Sequence, residues 1–256
     1  MKQLILIILS LAISSTAFGW GQKGHDVTAA IAEQHLTRKA AKRIHRILDG
    51  QSPIYWSNWM DNASHTPQYA VTKTWHYLNI EGGQSFDEAR RIPEGDVLSA
   101  VTQIVDRLKA GGLSPQEEAV DLKMLIHLVG DMHCPMHLGH LSDLGGNRHA
   151  VRFFGRPTNL HSVWDTDLPE AGHRWSYSEW VEQLDRLPKS TRRELSSGSP
   201  ADWARETHTV CTKVYDATPV GSEISYDYVA RFTPTVEQQL LKAGLRLARL
   251  LNEIYG

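Results

Sequence analysis

Apolar residues recur along most of the chain at helical spacing. Val27, Ala30, Ile31, Ile44, Ile47 and Leu48 fall near a period of 3.6, and Gly50 ends that helix. Val97, Val101, Ile104, Val105 and Leu108 make another, closed by Gly111 and Gly112. The stretch "SPQEEAVDLKMLIHLVGDMH" opens with Ser114 as N-cap, Pro115 at the first helical position and Glu117 three residues after the cap, a capping box. Trp203, Thr207, Val210 and Val214 mark a later helix, and "VEQQLLKAGLRLARLLNEIY" is a long amphipathic one at the C-terminus. Strand-like alternation appears only in "HAVRFF", residues 149–154, as one arm of a small hairpin. The pattern predicts an all-α fold, a single compact multi-helix domain with at most that hairpin. Residues 82–93 and 138–159 are long connections, and long loops in compact domains are often functional.

The N-terminus reads differently. Lys2 gives a short positive start, and "LILIILSLAI" is an apolar run well short of the ~20 residues a membrane span needs. Ala17 and Gly19 then stand at the −3 and −1 places of a cleavage site. Residues 1–19 are thus expected to be a signal peptide, and residues 20–256 the mature domain, periplasmic or secreted and free of the membrane after cleavage. The formal net charge is −2, so the chain lacks the basic excess of a protein that holds nucleic acid by long-range attraction alone. Two cysteines exclude a disulfide scaffold; Cys134 either pairs with Cys211 or stays a buried thiol. Histidine, at 13 residues, is the unusual count.

His127 and Asp131 sit four apart on the capped helix and project from one face. Pro135 breaks that helix and places His137 in the turn beyond. His161 and Asp165 repeat the four-residue spacing. A single such pair would be an ordinary surface contact worth tenths of a kcal/mol, ~0.2–0.5. Here apolar residues surround both pairs, and a buried histidine or aspartate is costly unless it is paired or ligates a metal. Imidazole with carboxylate and no thiolate cluster suits Zn²⁺. His133, His140 and His149 lie near these residues in sequence, and one of them can support a ligand by hydrogen bond.

At these residues the chain resembles the S1/P1 nuclease family, zinc-dependent enzymes that degrade single-stranded nucleic acid. The resemblance rests on "WGQKGH", "NWMD", "WHYLNI", "HLVGDMHCPMH", "GGN" and "NLHSVWD", and spans Trp20 to about Asp167. It implies the phospholipase C/P1 nuclease type of helical fold and three zinc ions per chain. Asp61, His76, His127 and Asp131 would hold the first; His137, His161 and Asp165 the second. The third would take the free α-amino group and carbonyl of Trp20, with His25 and the bridging Asp131. Signal cleavage before Trp20 would then create a metal ligand. The resemblance assigns catalysis to the centre bounded by Asp61 and Asp131, with 5′-phosphorylated products from DNA and RNA. It gives Tyr77 a base to stack on and Asn147 a place at the substrate. Asn79 stands where the family has an aspartate, so an amide that donates as well as accepts replaces an acceptor. Ser64 stands where a basic residue is typical. A core role for the Tyr77 ring is the competing reading.

The nearest rival is a zinc phospholipase C, which shares the helical fold and a three-zinc site but carries a glutamate at the position of Asp165. "W-G-x-x-G-H" and "H-S-V-W-D" favour the nuclease. A non-catalytic periplasmic zinc-binding protein is the other alternative; it would not need open coordination positions. The expected partners are single-stranded DNA, RNA and nucleotides, with 3′-nucleotidase activity an open extension, and the protein is expected to be a monomer.

Overall fold

Capping chemistry sets most of the helix starts. A computed structural model describes residues 20–256, so the expected signal peptide lies outside the described residues. The order is α1 (Gln22–Gln34), α2 (Arg38–Ile47), α3 (Pro53–Trp56), α4 (Trp59–Ala63), α5 (Val97–Ala110) and α6 (Pro115–Asp131). A hairpin of β1 (Ala150–Phe153) and β2 (Arg156–Asn159) follows, then α7 (Leu160–Ser162), α8 (Leu168–Gly172), α9 (Tyr177–Leu184) and α10 (Lys189–Leu195). The chain closes with α11 (Pro200–Ala217), β3 (Glu223–Ile224) and α12 (Tyr226–Tyr255). Asp96, Ser114, Ser176 and Ser199 each form a capping box at the start of α5, α6, α9 and α11. Each reciprocal pair satisfies two amide groups that the first turn leaves without intrahelical partners.

The fold is all-α apart from one small sheet of order β2-β1-β3. β1 and β2 pair antiparallel, and β3 adds to β1 in parallel, an edge that alternation in the sequence did not announce. The single helix expected up to Gly50 is two helices. Thr37 caps the second by accepting a hydrogen bond from the Ala40 amide at 3.2 Å, so the chain turns while the apolar period continues. At the other end α12 begins ten residues before Val236 and carries Pro234 inside it.

Two apolar cores lie side by side. One gathers α2, α5, α6 and the C-terminal half of α12 around Ile104, Leu125, Leu128 and Leu251. The other gathers Trp20, Val27, Ile31, Trp164, Trp180 and the first half of α12. Residues 78–80 and 137–139 are clipped together by the Leu78 amide to the His137 carbonyl at 2.8 Å and the Ile80 amide to the Gly139 carbonyl at 2.9 Å. That short ladder brings the segment after His76 against the turn after α6. Among the described residues no helix is long and apolar enough to cross a membrane.

Candidate metal centre

Six histidine and aspartate side chains converge where α1, α4, α6 and residue 76 meet the turn after α6. α6 presents His127 and Asp131 one turn apart, both fully buried, with His127 Nε2 3.2 Å from Asp131 Oδ2. Asp61, from α4, brings Oδ1 to 3.2 Å from the same Nε2. His76 ends a 3₁₀ segment, Pro67–His76, and sets Nδ1 2.9 Å from Asp131 Oδ2 and 3.2 Å from His127 Nε2. From α1, His25 stacks on His127 at 3.9 Å and places Nε2 3.3 Å from Asp131 Oδ1. His137 Nδ1 lies 3.8 Å from that same oxygen. Asp131 thus faces two groups of partners, one with each oxygen.

The second HxxxD pair has the same spacing but not the same backbone. His161 is in α7, and the chain then widens into a π-type turn over Val163–Asp167 that carries Asp165. Their side chains still meet, Nε2 to Oδ2 at 2.9 Å. The His137 ring lies 5.2 Å from the His161 ring. Cys134 joins this corner with its Sγ 3.1 Å from Asp165 Oδ1. Ligand atoms of Cys134, His137 and Asp165 fall within 4.8 Å of one another, as do those of Asp61, His76 and His127, and of His25, His127 and Asp131. The cysteines are both free, which decides the alternative left open by their spacing.

Trp20 is fully buried next to this corner, and the adjacent Gly21 amide donates to the Asp165 carbonyl at 2.7 Å. Two glycines make the approach possible. A Cβ on Gly24 would lie 2.7 Å from Trp20 Cβ, and one on Gly130 only 2.8 Å from His25 Nδ1. The glycines of "WGQKGH" and "HLVGD" therefore have a packing reason, which sequence reasoning missed.

Backbone carbonyls fix the rings. His127 Nδ1 donates to the Ser57 carbonyl at 2.8 Å, His161 Nδ1 to the Gly145 carbonyl at 2.6 Å, and His137 Nδ1 to the His76 carbonyl at 2.5 Å. Each bond leaves Nε2 as the lone-pair nitrogen. Asp26, also unforeseen, accepts from Ser57 Oγ and from Asn58 Nδ2, both at 2.8 Å, and so braces the carbonyl that holds His127.

Eight buried atoms of this cluster have no hydrogen-bond partner: both nitrogens of His25, Nε2 of His76, His137 and His161, Oδ1 of Asp61 and Asp131, and Oδ2 of Asp165. His161 Nε2 and Asp165 Oδ2 are close yet misaligned for a hydrogen bond, as are His25 Nε2 and Asp131 Oδ1. At ~1–3 kcal/mol for each unpaired buried group, the total rivals the ~5–15 kcal/mol net stability of a whole domain. Bound cations would complete these atoms and remove that cost. Nitrogen and carboxylate donors in these numbers fit Zn²⁺.

The titration behaviour agrees. Burial works against the His127 imidazolium, but Asp131 and Asp61 overcome it and hold the ring well above its ordinary range. Burial likewise opposes charge on Asp131, yet His127 and His137 hold it well below the usual carboxylate range. His161 is raised against burial by Asp165. His137 moves the other way, because burial outweighs its two carboxylate neighbours. Burial pushes the Cys134 thiol well up, and the Asp165 charge adds to it. The carboxylates hold positive charge here, either as protons or as metal.

Substrate candidates sit at the rim. Tyr77 is half-buried, directly after His76, and its carbonyl accepts from the Val97 amide at 3.2 Å. Asn79 Oδ1 is buried without a partner. Asn147 is half-buried, its Nδ2 donating to the Leu144 carbonyl at 2.9 Å. Ser64 is buried and bonds the Asp61 carbonyl at 3.0 Å, so it terminates α4 and offers no cation. His133 turns away from the centre to Arg246, whose Nη1 donates to its Nε2 at 2.9 Å. His149 bonds the Thr218 carbonyl at 2.7 Å, and His140 stacks on Tyr215 at 3.7 Å.

Known proteins give the same answer as the geometry. The family described as S1/P1 Nuclease matches residues 20–256. Endonuclease 2 of Arabidopsis thaliana is 26% identical over 99% of this chain and 96% of its own. Nuclease S1 of Aspergillus oryzae is 28% identical, covering 96% and 95%. Nuclease P1 of Penicillium citrinum is 28% identical, covering 93% and 98%. The match takes in the late helices that carried no motif and favours the nuclease over the phospholipase and the non-catalytic alternatives. The chain belongs to the S1/P1 nuclease family, zinc-dependent hydrolases of the endonuclease type.

Proposed function

We propose that this protein is a secreted or periplasmic endonuclease that holds three zinc ions and hydrolyses phosphodiester bonds of single-stranded DNA and RNA, leaving 5′-phosphates. The observation that carries it is the set of eight partnerless buried nitrogen and oxygen atoms, spread over seven residues. Asp61, His76, His127 and Asp131 would hold one zinc, and His137, His161 and Asp165 a second. Trp20, through its amine and carbonyl, would hold the third with His25 and Asp131. Residues 1–19 would be the signal peptide whose removal frees that amine. Bound zinc supplies Lewis acidity to a phosphoryl oxygen and a water nucleophile near neutral pH.

The protein's own groups do the rest. The carbonyls of Ser57, Gly145 and His76 keep three imidazoles in the tautomer that offers Nε2. Three ligand carboxylates neutralise only half of the six positive charges of three Zn²⁺, so the centre attracts a polyanion although the chain is slightly acidic. Tyr77 offers a ring face to a base, and Asn79 an amide with an unused carbonyl oxygen to its edge. A base within a duplex cannot reach that face without unstacking, which supports a single-strand preference.

The test is the zinc-loaded protein on single-stranded DNA, RNA, duplex DNA, 3′-mononucleotides and a lecithin. Cleavage of the two single strands to 5′-phosphorylated products is expected, with duplex much slower; the 3′-mononucleotides decide the nucleotidase extension. Equal rates on duplex would sink the single-strand claim, and lecithin as the best substrate would sink the nuclease. Elemental analysis should read three zincs per chain when the protein begins at Trp20. It should read two when one extra residue precedes it, because an amide nitrogen has no free lone pair.

A further inference from the structure

At the corner of His137, His161 and Asp165, each side chain has one polar atom tied and one left over. His137 Nδ1 and His161 Nδ1 are tied to backbone carbonyls, and Asp165 Oδ1 is tied to the Cys134 thiol at 3.1 Å. The atoms left over, His137 Nε2, His161 Nε2 and Asp165 Oδ2, are all buried and without a partner. Sulfur approaches one carboxylate oxygen and the His161 ring nitrogen approaches the other. The thiol thus occupies Oδ1 of Asp165 and leaves Oδ2 to the side of the His161 ring nitrogen.

We propose that Cys134 is a positioning residue: its S–H donates to Oδ1 of Asp165 and holds the carboxylate so that Oδ2 alone, with the two Nε2 atoms, meets the second metal. The proposal rests on the metal-centre reading above. Cys134 suits the task because it is itself fixed. It is fully buried, its amide bonds the Asp131 carbonyl at 2.9 Å, and Pro135 follows it. Asp165 is fixed on its main chain as well, through its carbonyl and the Gly21 amide at 2.7 Å. With both backbones held, the thiol is what sets the rotation of the carboxylate about its last bond. Partners of this kind orient a ligand and typically change metal affinity 10–100-fold when removed.

The experiment compares wild type, Cys134→Ala and Cys134→Ser as zinc-loaded and as cobalt-substituted proteins. One of the three zincs, read by competition with a chromophoric chelator, should be held about 10–100-fold more weakly in Cys134→Ala than in wild type. The other zincs should stay bound, which also reports that the variant folds. Cys134→Ser keeps a donor and should recover most of the loss, which a merely space-filling role would not. The cobalt protein should lack near-ultraviolet sulfur-to-cobalt charge transfer. Such a band, abolished in Cys134→Ala, would make Cys134 a direct ligand and overturn the proposal. Unchanged affinity in Cys134→Ala, with three zincs in wild type, would overturn the positioning role alone. A wild type that holds no zinc would overturn the metal reading beneath it and this proposal with it.

Discussion

His127 and His133 belong to one short motif, both are fully buried, and they carry opposite charge logic. His127 is ringed by Asp61 and Asp131, which hold it well above its ordinary range in spite of burial. His133 is pushed down to about 3, by burial first and by the Arg246 guanidinium next. Every polar atom of the His133 ring is used: Nδ1 donates to the Val129 carbonyl at 2.7 Å, and Nε2 accepts from Arg246. Arg246 is in turn bonded to Glu206 and packs over Trp203, so the network closes on itself. Around His127 the network stays open, with partnerless atoms on His25, Asp61, His76 and Asp131. Burial thus does not make a histidine a metal ligand. Anionic neighbours and unspent lone pairs do.

The largest effect should come from removing charge on the open side. Asp131→Asn keeps the shape but cannot bridge cations, and hydrolysis of single-stranded DNA should fall more than ~100-fold, with zinc lost. Normal turnover at full zinc content would break the contrast between the two histidines. On the closed side, Arg246→Met should leave zinc content unchanged and destabilise by ~1–3 kcal/mol, because the buried His133 Nε2 loses its donor while Glu206 keeps Lys242. Urea unfolding read together with zinc per chain checks both halves; a zinc loss without destabilisation would reverse the assignment.

The pH dependence of the chelated, metal-free protein sharpens the comparison further. The His133 ring is neutral when folded down to about 3, while in the unfolded chain it takes a proton near 6.5. The unfolded state binds more protons in that window, so this residue makes stability fall as pH falls, by ~2–3 kcal/mol between about pH 6 and 4. His127 has the opposite sign. Its raised folded value gives a contribution fully present below 6.5 and lost as pH rises through that value. His133→Gln should flatten the acid limb of the stability curve only, and a flattened alkaline limb would contradict the separation. The smallest expected effect lies outside both clusters. Tyr77→Ala should weaken single-stranded oligonucleotide binding by ~1–2 kcal/mol, the lower part of the stacking range, with zinc unchanged. An unmoved affinity would make Tyr77 a packing residue.

Much of this was open to reading along the chain. The cap of α6, the apolar periods of α5 and α11 and the glycine stop after α5 are local signals, and the helices lie where they point. The break between α1 and α2 escaped because apolar positions keep their phase across Thr37, whose capping bond was the available cue. β3 escaped because two residues show no alternation and gain their strand only by pairing with β1. In "HLVGDMHCPMH", spacing marked His127 and Asp131 but could not separate His133 from them, nor say where Cys134 points.

By itself the sequence determined the all-α class, the start of α6 and the residue types of the centre. Those properties depend on the nearest few positions and on composition, and on motifs such as "NLHSVWD" whose spacing survives intact. Only the tertiary structure decided which side chains share a cavity and which polar atoms remain unspent. It put Arg246, 113 positions after His133, against that ring, and Asp61, 66 positions before His127, against the other. It set the Cys134 sulfur against one carboxylate oxygen of Asp165, 31 positions away. The sign of a buried charge's neighbours is a property of space, because Coulomb interaction falls with distance and is blind to sequence separation.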